Sequence, residues 1–276
     1  MGDFIRQNAN ICSFTTSNNW VILNEMEQRI KAKIEAVGIP LKEWNININY
    51  GIKTGLNEAF IINNEKRKEL IKQDPKSAEI IRPILRGRDI KRYGYKFAGL
   101  YIILAYFGSH KIIPKEYPAI YQHLKRHKVK LKNRGQARYT SSRKPSPNIN
   151  YPGQHHWLEL DNNPSDKYLN QFKKEKIIYS ETNNANETKI TFDNKQYFTD
   201  KTAFIIVGEN IKHIYKLLSS NIFTWYMNLI SPKLGVNGIS LTKESVEAFP
   251  CPPISSLKIE EAYKLTKEEV AFIENQ

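Results

Sequence analysis

The chain has 276 residues, 40% of them apolar, enough to bury the core of one large domain or one and a half ordinary ones without disulfide or metal staples. Its only cysteines, Cys12 and Cys251, are far apart and form neither a disulfide framework nor a zinc pattern, which points to a reducing, cytoplasmic setting. Net charge is +14. No apolar run approaches the roughly 20 residues that span a bilayer, and the start MGDFIRQNANICSF lacks a signal peptide's apolar stretch, so membrane and secreted classes are excluded as expectations.

Residues 1 to 22 are polar and Asn-rich and read as a connecting arm, with a further domain expected ahead of it. Asn24 with Glu27 three residues on has the form of a capping box, followed by Met26, Ile30, Ile34 and Val37 on one helical face. Gly38 and Pro40 end that helix. A short strand is expected at Ala59 (AFII), a helix over Glu65 to Lys72, and a strand at Leu100 (LYIILAY). Pro114 introduces a longer helix carrying Tyr117, Ile120, Tyr121 and Leu124, with cations opposite. The segment Arg134 to Gln154 is basic, punctuated by three prolines, and too long for an idle connection. Strands are expected at Lys176 (KIIYS) and Thr202 (TAFIIV). ENIKHIYKLLSSNIFTWYMNLI reads as one long helix or a pair. Pro250, Pro252 and Pro253 separate a last amphipathic helix from Lys258 to Ile273. The fold class is α+β, a mixed or antiparallel sheet flanked by helices, with a long basic loop and a C-terminal helix.

The charge is local. Between Arg82 and Lys144 there are 17 Lys and Arg and only two acids, Asp89 and Glu116, a net +15; the remainder is close to neutral. Concentrated like charge repels itself, and its usual partner is an anion whose counterions are released on binding, here nucleic acid. A solubilising basic face or anionic lipid are the alternatives, the latter without a basic helix that has a clean apolar face. DNA reading needs cations for phosphates and planar or amide groups for base edges. Arg82, Arg86, Arg88, Lys91 and Arg92 crowd around a turn at Gly87, and Arg134, Gln136, Arg138, Tyr139, Arg143 and Lys144 lie in the long loop. Each of these also has a plain solvated-surface alternative.

Catalytic signatures are sparse. Neither the glycine-rich turn of an S-adenosylmethionine enzyme nor an Asn/Asp-Pro-Pro-aromatic loop occurs; Asn163-Pro164-Ser165 lacks the second proline and the aromatic. No dinucleotide or P-loop glycine pattern is present. A loose Asp166, Glu187 and Lys189 set fits a magnesium-dependent nuclease, a pattern common by chance. His155 and His156, facing opposite ways on a strand, are expected to pack rather than chelate, and Cys251 to be a buried small residue.

The runs GIKTGLNEAFIIN from Gly51 and IIRPILRGRDIKRY from Ile80 resemble the specificity domain found C-terminal to TaqI-type adenine methyltransferases. HHWLEL, KIIYSE, YFTDKTAFII, IYKLLSSNIFTWY and LGVNGISLTKESVEAFPCPPI follow in the family's order, so the resemblance spans roughly Trp44 to Ile254. It implies a DNA target-recognition domain over residues 44–254, preceded by an arm and helix (1–43) leaving an upstream domain and followed by a C-terminal helix (255–276). The partners implied are double-stranded DNA and upstream methyltransferase and nuclease domains, as in type IIG enzymes. S-adenosylmethionine and magnesium belong to those domains; none is expected for this chain, nor any catalysis. Lys53, Thr54, Asn57 and the Arg82 to Arg92 turn line the DNA-facing side by the family's pattern. A separate type I-like specificity subunit, the nuclease and, more weakly, an RNA-binding protein are the competing readings.

Overall fold

The structure is a computed structural model and describes residues 23–138 and 150–276. Helices and mostly antiparallel sheets alternate along the chain, the expected α+β class. The described residues divide into two compact units: one takes those up to Ile46, Thr182–Thr188 and Gly208–Gln276; the other takes those of Asn47–Glu181 and Lys189–Val207.

In the first unit the helix Glu25–Val37 starts as its sequence demands. Asn24 Oδ1 accepts from the Glu27 amide at 2.9 Å and the Glu27 carboxylate accepts from the Asn24 amide at 2.8 Å, a reciprocal cap typically worth about 1 kcal/mol. Ile30 and Ile34 are fully buried. The helix stops at Gly38, where a Cβ would stand 2.4 Å from Pro250, because the strand Ile39–Pro40 pairs antiparallel with Pro250–Cys251. Cys251 is buried there, which pushes its thiol up to about 12.

The apolar stretch after Asn210 is a pair of helices, Ile211–Leu218 and Asn221–Ile230, divided where Ser220 caps the second by accepting from the Phe223 amide. The expected last helix from Lys258 to Ile273 is broken into Ile259–Ala262 and Lys267–Glu274. Between them Lys264 takes a left-handed φ of 56°, and Thr266 with Glu269 forms a fresh capping box that outcompetes continuation. Glu269 is fully buried, yet Arg29 and Lys33 of the first helix donate to it at 2.9 and 2.7 Å. Burial works to raise its carboxyl; these bonds prevail and hold it below the usual range.

The second unit holds two four-stranded sheets. One runs Ile190–Asp193, Lys176–Ser180, Ala203–Gly208, Ile46–Tyr50, its last strand beginning at the unit's edge. The other runs Phe198–Thr199, Ile81–Leu85, Leu100–Ile103, Ile61–Asn63, with one parallel pair among antiparallel ones. Ile84, Leu85, Ile102, Ile103 and Phe60 are fully buried in their shared apolar cluster. At Ala59 the expected strand is shortened: Asn57–Phe60 is a helical turn, and only Ile61–Asn63 pairs, because Asn63 already caps the helix Asn64–Gln73. The helix expected from Pro114 breaks into Ile113–Glu116 and Pro118–Arg126, since Pro118 cannot donate to the preceding turn and starts a new one.

One topological detail positions the candidate surface. Ile52 bridges Asp200 in parallel, and Thr199 pairs in parallel with Leu85. The chain therefore leaves Ile52, Asp200 and Leu85 in one direction. At about 4.8 Å per strand spacing, the turns after Ile52 and Leu85 start about 10 Å apart.

Candidate nucleic-acid interface

Arg134 organises the region. All five of its N–H groups are used: Nε donates to Leu131 O, Nη1 to Thr54 O (2.8 Å) and Asp161 Oδ1 (2.9 Å), Nη2 to Trp157 O and Glu159 O (2.6 Å). It is 7% exposed, and burial works to lower its pKa. The expectation that Arg134 meets DNA therefore fails on geometry: no donor is left, and its charge is neutralised by Asp161. It ties three segments together instead. Glu159, also fully buried, accepts from the Gly108 and His110 amides, from His110 Nδ1 at 2.5 Å and from the His156 amide. His156 stacks on His110 at 4.6 Å; burial first, then the neighbouring His110, push it down to about 4. His155 is fully buried, with Nε2 2.9 Å from Asp161 Oδ1 but poorly aligned for a hydrogen bond. The two histidines pack, but in an irregular bend rather than on the strand that the sequence suggested.

The turn after Ile52 lies against this network. Thr54 is buried and its hydroxyl donates to Asn57 Oδ1, while Lys53 and Asn57 themselves are exposed. Gly55, at φ 68°, allows the approach, since a Cβ there would meet the Asp161 carboxylate at 2.4 Å. Gln136 is half-buried and pairs reciprocally with Asn162, side-chain amide to side-chain oxygen at 2.8 Å and back from the Asn162 amide at 2.9 Å. Arg138 ends the short helix Gly135–Arg138 in an exposed position. Tyr139, Arg143 and Lys144 lie outside the described residues.

The second turn is less uniform than its sequence. Arg86 is clasped by Asp89 through Nε and Nη2 at 2.9 and 2.8 Å. Burial works to raise the Asp89 carboxyl, but the Arg86 bonds prevail and hold it below the ordinary range. Arg82 is half-buried and donates to Ala78 O and Ile81 O. Arg92 is half-buried, its guanidinium 5.0 Å over the Tyr93 ring. Arg88 and Lys91 face solvent. Gly87 lets the turn sit on Thr202, whose hydroxyl accepts the Gly87 amide at 2.8 Å.

The structure thus joins Thr54, Asn57 and Arg134 through one polar network, while Gln136 pairs separately with Asn162, the neighbour of Asp161 in sequence. Sequence reasoning did not single out Tyr50, whose ring carries Lys53 Nζ at 4.6 Å, or Asn162, and weighed Asn163 only within a failed catalytic motif; Asn162 and Asn163 are consecutive non-glycine residues at φ 64° and 47°. Left-handed backbone costs on the order of 1 kcal/mol per residue outside glycine. The Asn-Asn-Pro string was the available signal for that turn. Asp166, from the nuclease set, is simply the first residue of a short helix capped by Ser165. Among the described residues no group of three His, Cys, Asp or Glu is placed to hold a metal ion, and no helix is long and apolar enough to cross a membrane.

The fold is shared with restriction-modification proteins. The type IIL restriction-modification enzyme MmeI, solved in complex with DNA, superposes with a TM-score of 0.52 at 15% identity over 76% of this chain and 25% of that one. The type IIG restriction endonuclease BpuSI gives 0.51 at 12% identity over 91% of this chain and 28% of that one. The chain thus corresponds to about a quarter of either protein's length. No curated protein sequence matches it. The TaqI-like C-terminal specificity domain matches residues 82–251, more than half of the chain, and the chain belongs to that family.

Proposed function

We propose that the chain reads the sequence of double-stranded DNA as the specificity domain of a type IIG-like restriction-modification enzyme, presenting the target to methyltransferase and endonuclease domains that it does not itself supply. On this reading it is non-catalytic and needs no cofactor, and S-adenosylmethionine and magnesium serve the other domains in the cytoplasm. The observation that carries it is a coincidence of position: the family match over residues 82–251 includes the whole +15 segment. Among the candidate residues Lys53, Arg88, Lys91 and Arg138 are exposed cations suited to phosphates, and Asn57 is an exposed amide suited to a base edge.

Selection from a randomised duplex pool, followed by anisotropy titrations across salt, tests the proposal. A defined site bound at least a thousandfold more tightly than random duplex, on top of a steep salt dependence, is the expected result. Equal affinity for all duplexes would refute sequence reading. A separate subunit of a type I-like system would instead co-purify with a distinct methyltransferase chain. No observation favours the nuclease.

A further inference from the structure

The short ribbon that follows the Arg86 turn carries a residue out of keeping with its backbone. Ile90–Lys91 pairs antiparallel with Gly94–Tyr95 as a two-stranded sheet of its own, so Arg92 and Tyr93 form a two-residue hairpin turn. Tyr93 takes the left-handed region there, at φ 65°. Glycine suits that place in a turn because a Cβ crowds the following carbonyl. A glycine stands one residue later, yet tyrosine occupies the position. Among the described residues it is the one aromatic with a left-handed φ, the other non-glycine cases being Asn, Gln and Lys. The fold enforces this geometry: the Tyr93 amide donates to Ile190 O at 3.0 Å, on the strand Ile190–Asp193.

Most of the side chain nevertheless stands in water. At 59% exposure Tyr93 is the most exposed aromatic among the described residues, and the Arg92 guanidinium braces its ring from 5.0 Å. Strain retained at an exposed side chain points to a contact outside the fold. Around it Arg88, Lys91 and Lys96 face solvent, while the one acid of the stretch, Asp89, is spent on Arg86. The charge is also unevenly shared between the two units: described residues of the second carry 28 Lys and Arg against 14 acids, those of the first 11 against 13. The ribbon thus belongs to the unit that attracts a polyanion. A two-stranded ribbon is one of the elements that the major groove of a duplex, about 12 Å wide, admits.

We propose that this ribbon reads duplex DNA through the major groove, with Tyr93 meeting base edges while Arg88, Lys91 and Lys96 hold neighbouring phosphates. The assignment rests on the reading of the chain as a DNA-binding module and gives it a specificity-determining residue.

Selections from a randomised duplex pool with the full chain and with its Tyr93→Gly variant test it. Glycine is at ease at a left-handed φ but freer when unfolded, so the variant should melt within about 3 °C of the wild type. Preference at one or two adjacent base pairs should vanish from its selected site while the others persist. Affinity for the wild-type site should fall about tenfold and that for random duplex less than about twofold, with an unchanged salt slope because tyrosine is neutral. The lost preference should separate A·T from T·A, or G·C from C·G, which only the major groove displays. An unchanged selected site, an equal loss on all duplexes, or a lost preference that divides only A·T from G·C would overturn the proposal. Tyr93→Asn, whose side chain tolerates the left-handed region, decides the matter if Tyr93→Gly fails to fold. A wild type that selects no site would remove the underlying DNA reading; a selected site shared by wild type and variant removes the role of Tyr93 alone.

Discussion

Two basic segments look alike on paper and behave differently in the fold. The stretch from Arg82 to Arg92 ends as a strand-tip turn: Arg86 is paired and Arg82 and Arg92 are half-buried, while Arg88 and Lys91 stand in solvent. The stretch beginning at Arg134 opens on a guanidinium that is buried and fully bonded. An arginine therefore contributes to surface potential only where the fold does not engage its donors internally. Here the carbonyls of Leu131, Thr54, Trp157 and Glu159 converge and take one of them out of the count.

The contrast is sharpest in stability. Arg134→Met should destabilise the chain by about 3–5 kcal/mol, since it leaves Asp161 and four carbonyls without their donor; urea unfolding measures it, and Arg134→Lys should recover only part. A loss under about 1 kcal/mol would make Arg134 an ordinary cation and erase the difference between the segments. Gly55→Ala should cost about 2 kcal/mol, combining a left-handed backbone with the Asp161 collision, again by urea unfolding. Acid should act on the Arg134 side. His156 titrates near 6.5 when unfolded and about 4 when folded. The unfolded chain thus binds the extra proton first, so stability is full above pH 6.5 and falls as pH drops toward 4, at no more than about 1.4 kcal/mol per pH unit. Calorimetry from pH 7 to 4 should show this, and His156→Gln should flatten it. At the other extreme, joint replacement of Arg88 and Lys91 by alanine should change stability by less than about 0.5 kcal/mol. It should also lower the salt slope of DNA binding by up to about 2, near 0.9 per phosphate contact.

Much of the architecture was legible because its signals are local. The Asn24 and Glu27 cap, the buried Ile30 and Ile34 face, and the Lys176 and Ala203 strands follow from spacing alone. The errors were also local, at Pro118 and Thr266, where a new helix start defeated a continuous apolar stripe. The candidate surface was legible only as charge. Which cation is spent inside depends on carbonyls up to 80 residues away, such as Thr54 O for Arg134, and no windowed pattern contains that partner. Asn163 was weighed as part of a failed catalytic motif; the hydrogen bond it donates to Gln154 O forms only when residues 136 and 154 meet the turn.

The meeting of those two residues ties together the flanks of residues 139–149. The Gln154 amide donates to Gln136 O at 2.7 Å. Both atoms belong to the main chain, so the tie does not depend on which side chains stand between them: substitutions within residues 139–149 leave its donor and its acceptor intact.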